Sequence, residues 1–299
     1  MLALLGRSRE VFKMTETQRS AGSVIHDRFA VVARDLQEVA DNGLSEESQH
    51  DLRIACRRAE AAIWLCRDVG GLRSWRWLRG KLKSLREACN SSRDDDVLRS
   101  WLKRSSLDVP RSLHRELKAR QKRARPAIVK LSTQLSASRR FQQVAKGIVK
   151  HLAEMGHGVE LASNFSHRLF EQLDRFVIAL PTNHNDLAAL HSMRVMTKRF
   201  RYSSEIVSEI WPQLDLVELR ELLQSVQKRA GTIHDLDVGR RRLSKLIAGH
   251  KKQSARQLLR AMSDEGLKEQ REFWSWWISL PIEQTLANTT VQLLRFLRS

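Results

Sequence analysis

Apolar residues recur every three or four positions along most of this 299-residue chain, the period of a helix with one buried face. Leu52, Ala55, Ala59, Ala62 and Cys66 fall on one side of a helical projection, and Met193, Met196, Phe200 and Val207 do the same further on. The pattern predicts helices at about 23–40, 46–68, 74–89 and 94–103, basic helices through about 150, and a similar series from about 161. Breaks fall at Asn42-Gly43, Gly70-Gly71, Gly156-His157-Gly158, Pro181, Pro212 and Gly249. No alternating strand pattern stands out, and 13 glycines with 5 prolines are too few for the turns of a β-sandwich. The expected class is all-α.

A repeat organises the series. The run His50-Asp-Leu-Arg53-Ile-Ala-Cys-Arg57-Arg58 returns 141 positions later as His191-Ser-Met-Arg194-Val-Met-Thr-Lys198-Arg199. At the same offset Arg93-Asp94-Asp95-Asp96-Val97 returns as His234-Asp235-Leu236-Asp237-Val238, and His26 and Phe29 as His167 and Phe170. Three matches in register point to two homologous helical halves, 20–157 and 158–299, after an extension over 1–19. The halves are expected to face each other across a pseudo-twofold axis.

Charge narrows the function. Lys and Arg number 53 against 34 acids, a net charge of +19, which calls for a polyanionic partner. Between Arg111 and Lys150 there are 12 Lys or Arg and one acid, Glu116. Leu113, Leu117, Ile128, Leu131 and Leu135 run through that stretch at helical spacing, so it reads as packed helix with a basic outer face. The three cysteines, Cys56, Cys66 and Cys89, have neither metal nor disulfide spacing and suit a reducing cytosol. No apolar run reaches the roughly 18 residues of a membrane span, and the apolar start lacks the basic leader of a signal peptide. A cytoplasmic protein is expected.

On a helix, His50, Arg53 and Arg57 lie within about 60° of one another, opposite the apolar face. His191, Arg194 and Lys198 form the same stripe, which Arg201 and Tyr202 extend, while Arg58 and Arg199 sit at its shoulders. Like charges one turn apart repel by a few tenths of a kcal/mol per pair. Solvent, or acids such as Glu46 and Glu47, could relieve one such stripe, but its recurrence points to an anion site. The Asp-x-Asp elements fit helix N-caps at Asp94 and Asp235, or salt bridges to the stripe, better than a cation site. No phosphate-cradling Gly-rich loop, nucleophile elbow or zinc helix is present, so no enzyme and no metal are expected. His114, His151 and His250 fit surface or packing roles. Trp274, Trp276 and Trp277 fit a core or an inter-helix seam better than base stacking.

His50-x-x-Arg53-x-x-x-Arg57-Arg58 and His191-x-x-Arg194-x-x-x-Lys198-Arg199-x-Arg201-Tyr202 resemble the paired signatures of the CHAD domain, the conserved-histidine α-helical domain. Leu82-Lys83-Ser84-Leu85 is similar to the family's next-helix element, and Arg93-Asp94-x-Asp96-Val97 and His234-Asp235-x-Asp237-Val238 to its Asp-x-Asp-Val element. The resemblance spans nearly the whole chain after about residue 20. It implies two antiparallel four-helix bundles around a basic central cavity, and non-catalytic binding of inorganic polyphosphate. Lys83 and Arg86 then join His50, Arg53, Arg57, Arg58, His191, Arg194, Lys198, Arg199, Arg201 and Tyr202 as expected contacts, without a cofactor. Association with polyphosphate enzymes or granules is a further implication. The Glu-x-Glu-x-Lys signature of the triphosphate tunnel domain often fused to this family is absent, so a standalone member is expected. Glu60 stands where the repeat would place the partner of Arg201, and Gln224 where it would place that of Lys83, which breaks strict equivalence of the two halves. A nucleic-acid backbone is the alternative ligand; a polyphosphate or nucleotide hydrolase is the third possibility.

Overall fold

A computed structural model describes residues 19–67, 72–155, 158–181, 183, 186–248 and 253–298. Among these residues it is helical throughout. The helices are α1 (Ala21–Asn42), α2 (Glu46–Leu65), α3 (Leu72–Arg104), α4 (Arg111–Ser136), α5 (Arg139–Met155), α6 (Val159–Ile178), α7 (Leu187–Ile210), α8 (Val217–Ile247), α9 (Gln253–Ile278) and α10 (Ile282–Arg298). The expected breaks at Gly70-Gly71, Gly156-His157 and Gly249, together with His250 and nearly all of the 1–19 extension, lie outside the described residues.

Local chemistry sets several boundaries. Ser20 accepts a hydrogen bond from the Ser23 amide at 3.0 Å and starts α1. Ser45 and Ser48 exchange bonds in a reciprocal cap that starts α2. Asp186 accepts from the Ala189 amide at 2.8 Å and starts α7. Each cap satisfies a first-turn N–H that the helix leaves unpaired. Gly43 ends α1 at φ +77°, a left-handed conformation that glycine adopts without strain.

One expectation fails. The predicted helices at 74–89 and 94–103 are a single helix, α3, and α8 likewise continues through Asp235. Asp94 and Asp235 are therefore helix-interior residues and not N-caps. Their carboxylates answer to arginines instead: Asp94 and Asp95 meet Arg242 at 3.1 and 2.5 Å, and Asp235 meets Arg194 at 3.7 Å.

Among the described residues five helices precede residue 158 and five follow it, one more on each side than a four-helix bundle holds. In the first set α1 packs on α2, α4 and α5, and α3 on α2 and α4; in the second α7 packs on α6 and α8, α8 on α9, and α10 on α6. The two sets meet through α3 against α8 and α2 against α7. A large core, centred on residues such as Phe29, Leu52, Leu82, Phe165, Phe176, Phe200 and Trp211, runs through both. A smaller core joins Leu98, Trp101, Leu113 and Leu117 to Leu236, Leu243, Leu258 and Met262, so the α3–α4 and α8–α9 pairs lean on each other. Leu113, Leu117, Ile128 and Leu135 are buried as their spacing predicts. Trp277 is buried and Trp274 and Trp276 pack beside the core, so these rings form an inter-helix seam.

The contacts between the sets are polar as well as apolar. Arg28 pairs with Glu209, Arg58 with Glu205 at 3.7 Å, Arg67 with Glu171 at 3.0 Å and Arg93 with Asp235 at 3.8 Å. In each pair the first set supplies the arginine. One of them, Arg58 with Glu205, joins α2 directly to α7, the two helices that carry the repeated basic stripes. No helix among the described residues is long and apolar enough to cross a membrane.

Candidate functional site: a cation cluster between the repeats

Because the small-residue face of α2 (Leu52, Ala55, Ala59, Ala62) is turned into the core, its polar stripe is left at the seam with α7. Met193, Phe200 and Val207 turn α7 the same way. Arg53 and Arg57 of α2 thereby approach Arg194 and Lys198 of α7, and Arg93 of α3 joins them beside Asp235 of α8. Tyr202, also on α7, is buried beside Arg57, whose charge it favours.

Each cation raises the cost of charging the others. Burial, then Arg194, Arg57 and Arg53, push the Lys198 ammonium down to about 6, and Asp235 only partly offsets them. Burial and neighbouring cations bring Arg53 and Arg194 down to about 10. Burial opposes the charge on Asp235, but the hydrogen bond from His234 and the arginines at 194 and 93 outweigh it and hold the carboxyl low. The Nε atoms of Arg53 and Arg194 are buried with no hydrogen-bond partner. A buried donor left unpaired costs about 1–3 kcal/mol, more when charged. The cluster therefore holds surplus charge and surplus donors together, the condition that an anion would relieve.

The histidines flank the cluster. His50 lies 3.4 Å from Arg53 through Nδ1, and His191 stacks on His234 with ring centres 5.1 Å apart. Burial lowers both His50 and His191 from their ordinary value, and neighbouring cations add to it: Arg53 and Arg93 for His50, His234 and Arg194 for His191. Without an anion these imidazoles are neutral near pH 7 and become donors on both nitrogens only at lower pH.

The remaining expected residues divide. Arg86 and Arg199 stand at one edge of the cluster around Glu60: Arg86 donates to Glu60 at 2.8 Å, and burial raises the Glu60 carboxyl despite Arg86, Arg57 and Arg199. Arg201 and Arg58 are engaged with Glu205, and Arg201 also donates to Gln227 at 2.9 Å and lies over the Tyr202 ring. Lys83 is exposed, 3.8 Å from Glu87, and no contact ties it to the cluster. Glu46, one candidate for relieving the stripe, is instead held low by its hydrogen bond from Arg99.

Two contacts stand at matching positions of the repeat with opposite polarity. Glu60 accepts from Arg86, whereas 141 positions later Arg201 donates to Gln227. The departure at Glu60 is thus half of an exchange that keeps one hydrogen bond between the second and third helices of each set. Arg93, Asp235 and His234 were not among the expected contacts. Their signal was present in the repeat itself, which places Arg93-Asp94 opposite His234-Asp235. Among the described residues no group of three His, Cys, Asp or Glu stands close enough to hold a metal ion.

A family model described as the CHAD domain matches residues 24–244. Among solved structures, the CHAD domain from the plant Ricinus communis superposes with a TM-score of 0.58 and 20% identity over 94% of each chain. PptA from Streptomyces chartreusis gives a TM-score of 0.56 and 16% identity over 93% of this chain and 98% of its own. A comparison with curated proteins found no match.

Proposed function

The chain belongs to the CHAD domain family, and from that premise and the cation cluster we propose that it binds inorganic polyphosphate without catalysing its breakdown. The observation that carries the proposal is the meeting of Arg53, Arg57, Arg93, Arg194 and Lys198 beside one central carboxylate, Asp235. Polyphosphate is a flexible chain with about one charge per phosphate. Arginine forks grip its non-bridging oxygens bidentately and a lysine adds a mobile point charge. In this reading the two halves are related by a pseudo-twofold axis that sets the repeated stripes on opposite walls of a basic cavity. His50 and His191 stand at its rim and donate to the chain when protonated.

Among the described residues no group of three His, Cys, Asp or Glu could hold a metal ion, and Asp235 beside the cations is paired with Arg93 and Arg194. The role is capture: storage, or recruitment to a polyphosphate-rich surface. The test is competition. Labelled long-chain polyphosphate bound to the protein should be displaced by unlabelled polyphosphate at far lower phosphate concentration than by DNA or RNA. Equal displacement per phosphate would replace polyphosphate by a nucleic-acid backbone as the ligand, and phosphate release on incubation with magnesium would overturn the non-catalytic assignment.

A further inference from the structure

The most strongly charged helix is not in the cluster. α4 carries eight Lys or Arg and one acid, whereas α9, which packs on α8 as α4 packs on α3, carries four of each. A helix in that place can therefore fold without excess charge. The charge on α4 is also ordered. Arg111, Arg115, Lys118, Lys122 and Arg125 fall at i, i+4, i+7, i+11 and i+14, a stripe about 80° wide and about 21 Å long. The first four are exposed and Arg125 is partly so.

Glu116 does not relieve the stripe, because it points to another face and binds Arg120 and Arg123, each at 3.0 Å. Among the described residues none of the five stripe cations forms an ion pair. They repel one another along the helix and gain nothing within the fold. The stripe holds no aromatic ring on which a base could stack and no apolar anchor of the kind that centres protein interfaces. It is a single narrow line of cations, the shape of a thin linear anion. Gln121, beside it, bonds Asp96 of α3 at 3.0 Å and Glu46 of α2 at 3.4 Å, and Glu46 lies one turn before His50. The stripe thus adjoins the α2 end of the cluster.

We propose that the exposed α4 stripe is a second polyanion-binding surface, on which a polyphosphate chain too long for the central cluster continues. The inference rests on the proposed function. It predicts that the protein has two contact zones and that only long chains use both, so the outer zone adds affinity through chain length.

The test pairs two ligands, tripolyphosphate and long-chain polyphosphate, with the triple variant Arg115→Gln, Lys118→Gln, Lys122→Gln. All three positions are exposed, and circular dichroism should show an unchanged helix content. Affinity for the long chain should fall by about tenfold or more, and its log–log salt slope by about 2, taking roughly 0.7 per contact as for single strands. Tripolyphosphate affinity should stay within a factor of about two. An unchanged long-chain affinity would show a merely solvated face and overturn the inference. Equal losses for both ligands would do so too, since the stripe would then belong to one diffuse site. Loss of RNA or duplex DNA binding with polyphosphate binding intact would reassign the stripe to nucleic acid. Failure of the wild type to bind either phosphate ligand would strike the proposed function itself.

Discussion

Anion capture at this site should be coupled to proton uptake, and Lys198 is the group that carries the coupling. In the free protein its ammonium is pushed down to about 6 by burial and by Arg194, Arg57 and Arg53. A phosphate among those cations reverses the field and restores the lysine toward its ordinary value near 10.4. The bound state then holds more protons than the free state, so affinity must rise as pH falls and drop as pH climbs above about 6. Each pH unit above that point costs about 1.4 kcal/mol, or tenfold, as long as the bound pKa stays higher still. From pH 6, where half the free lysines are protonated, to pH 8 the affinity should therefore fall about fiftyfold. His50 and His191, both lowered in the free protein, add coupling of the same sign at the acidic end. Long-chain polyphosphate is the right ligand, because its internal phosphates stay ionised across the range. Calorimetry in buffers of different ionisation enthalpy should count about one proton taken up near pH 7.5. Lys198→Arg keeps the charge without titrating in this range and should flatten the profile between pH 7 and 8. A wild-type affinity that is the same at pH 6.5 and pH 8 would refute the reasoning.

The same crowding predicts an exchange of stability for binding. Lys198→Met, which removes a partly buried amine that folding forces to give up its proton near pH 7, should stabilise the free protein by about 1–4 kcal/mol in chemical denaturation while weakening polyphosphate binding. Arg242→Ala should cost about 2–4 kcal/mol of stability, because it strands Asp94 and the buried Asp95 on the facing helix, and should leave affinity nearly unchanged. Asp235→Asn removes the carboxylate that offsets Arg93 and Arg194. It should lower the melting temperature and tighten polyphosphate binding; weaker binding would show that Asp235 positions the arginines instead of competing with the anion.

The stripes were legible in the sequence because a helix converts spacing directly into a face: His50, Arg53 and Arg57 share one side whatever the rest of the chain does. The 141-residue offset carried the second inference, that two such faces exist, and the structure brings Arg53 and Arg57 to Arg194 and Lys198. Of the two roles the sequence offered for the Asp-x-Asp elements, the N-cap fails and the salt bridge to the stripe holds for Asp235 with Arg194. An aspartate ahead of apolar residues serves equally well as an N-cap or as a half-buried ion-pair partner, and what decides between them, Arg242 and Arg194, lies far away in sequence or on another helix. Lys83 was placed by its motif, but its own helix turns it outward to Glu87. Arg93 was overlooked because its motif was judged by its acids, although its charge reaches His50, Arg53 and Arg194. The order in the α4 charge was visible as spacing, yet its lack of acidic partners becomes apparent only when Glu116 is seen to face Arg120 and Arg123.

The most direct measurement is a tripolyphosphate titration of three double variants shown by circular dichroism to be equally helical: Arg57→Ala with Arg58→Ala, Lys198→Ala with Arg199→Ala, and Arg139→Ala with Arg140→Ala. Each removes two basic side chains, but only the first two act at the seam of α2 and α7; Arg139 and Arg140 lie on α5. Charge-assisted hydrogen bonds are worth about 1.5–3 kcal/mol each, so a seam pair should cost roughly 3–6 kcal/mol, about a hundredfold to ten-thousandfold in affinity. The α5 pair should change affinity by less than about tenfold, mainly through the association rate. Three equal losses would mean that net charge alone holds the anion and that the repeated stripes form no site.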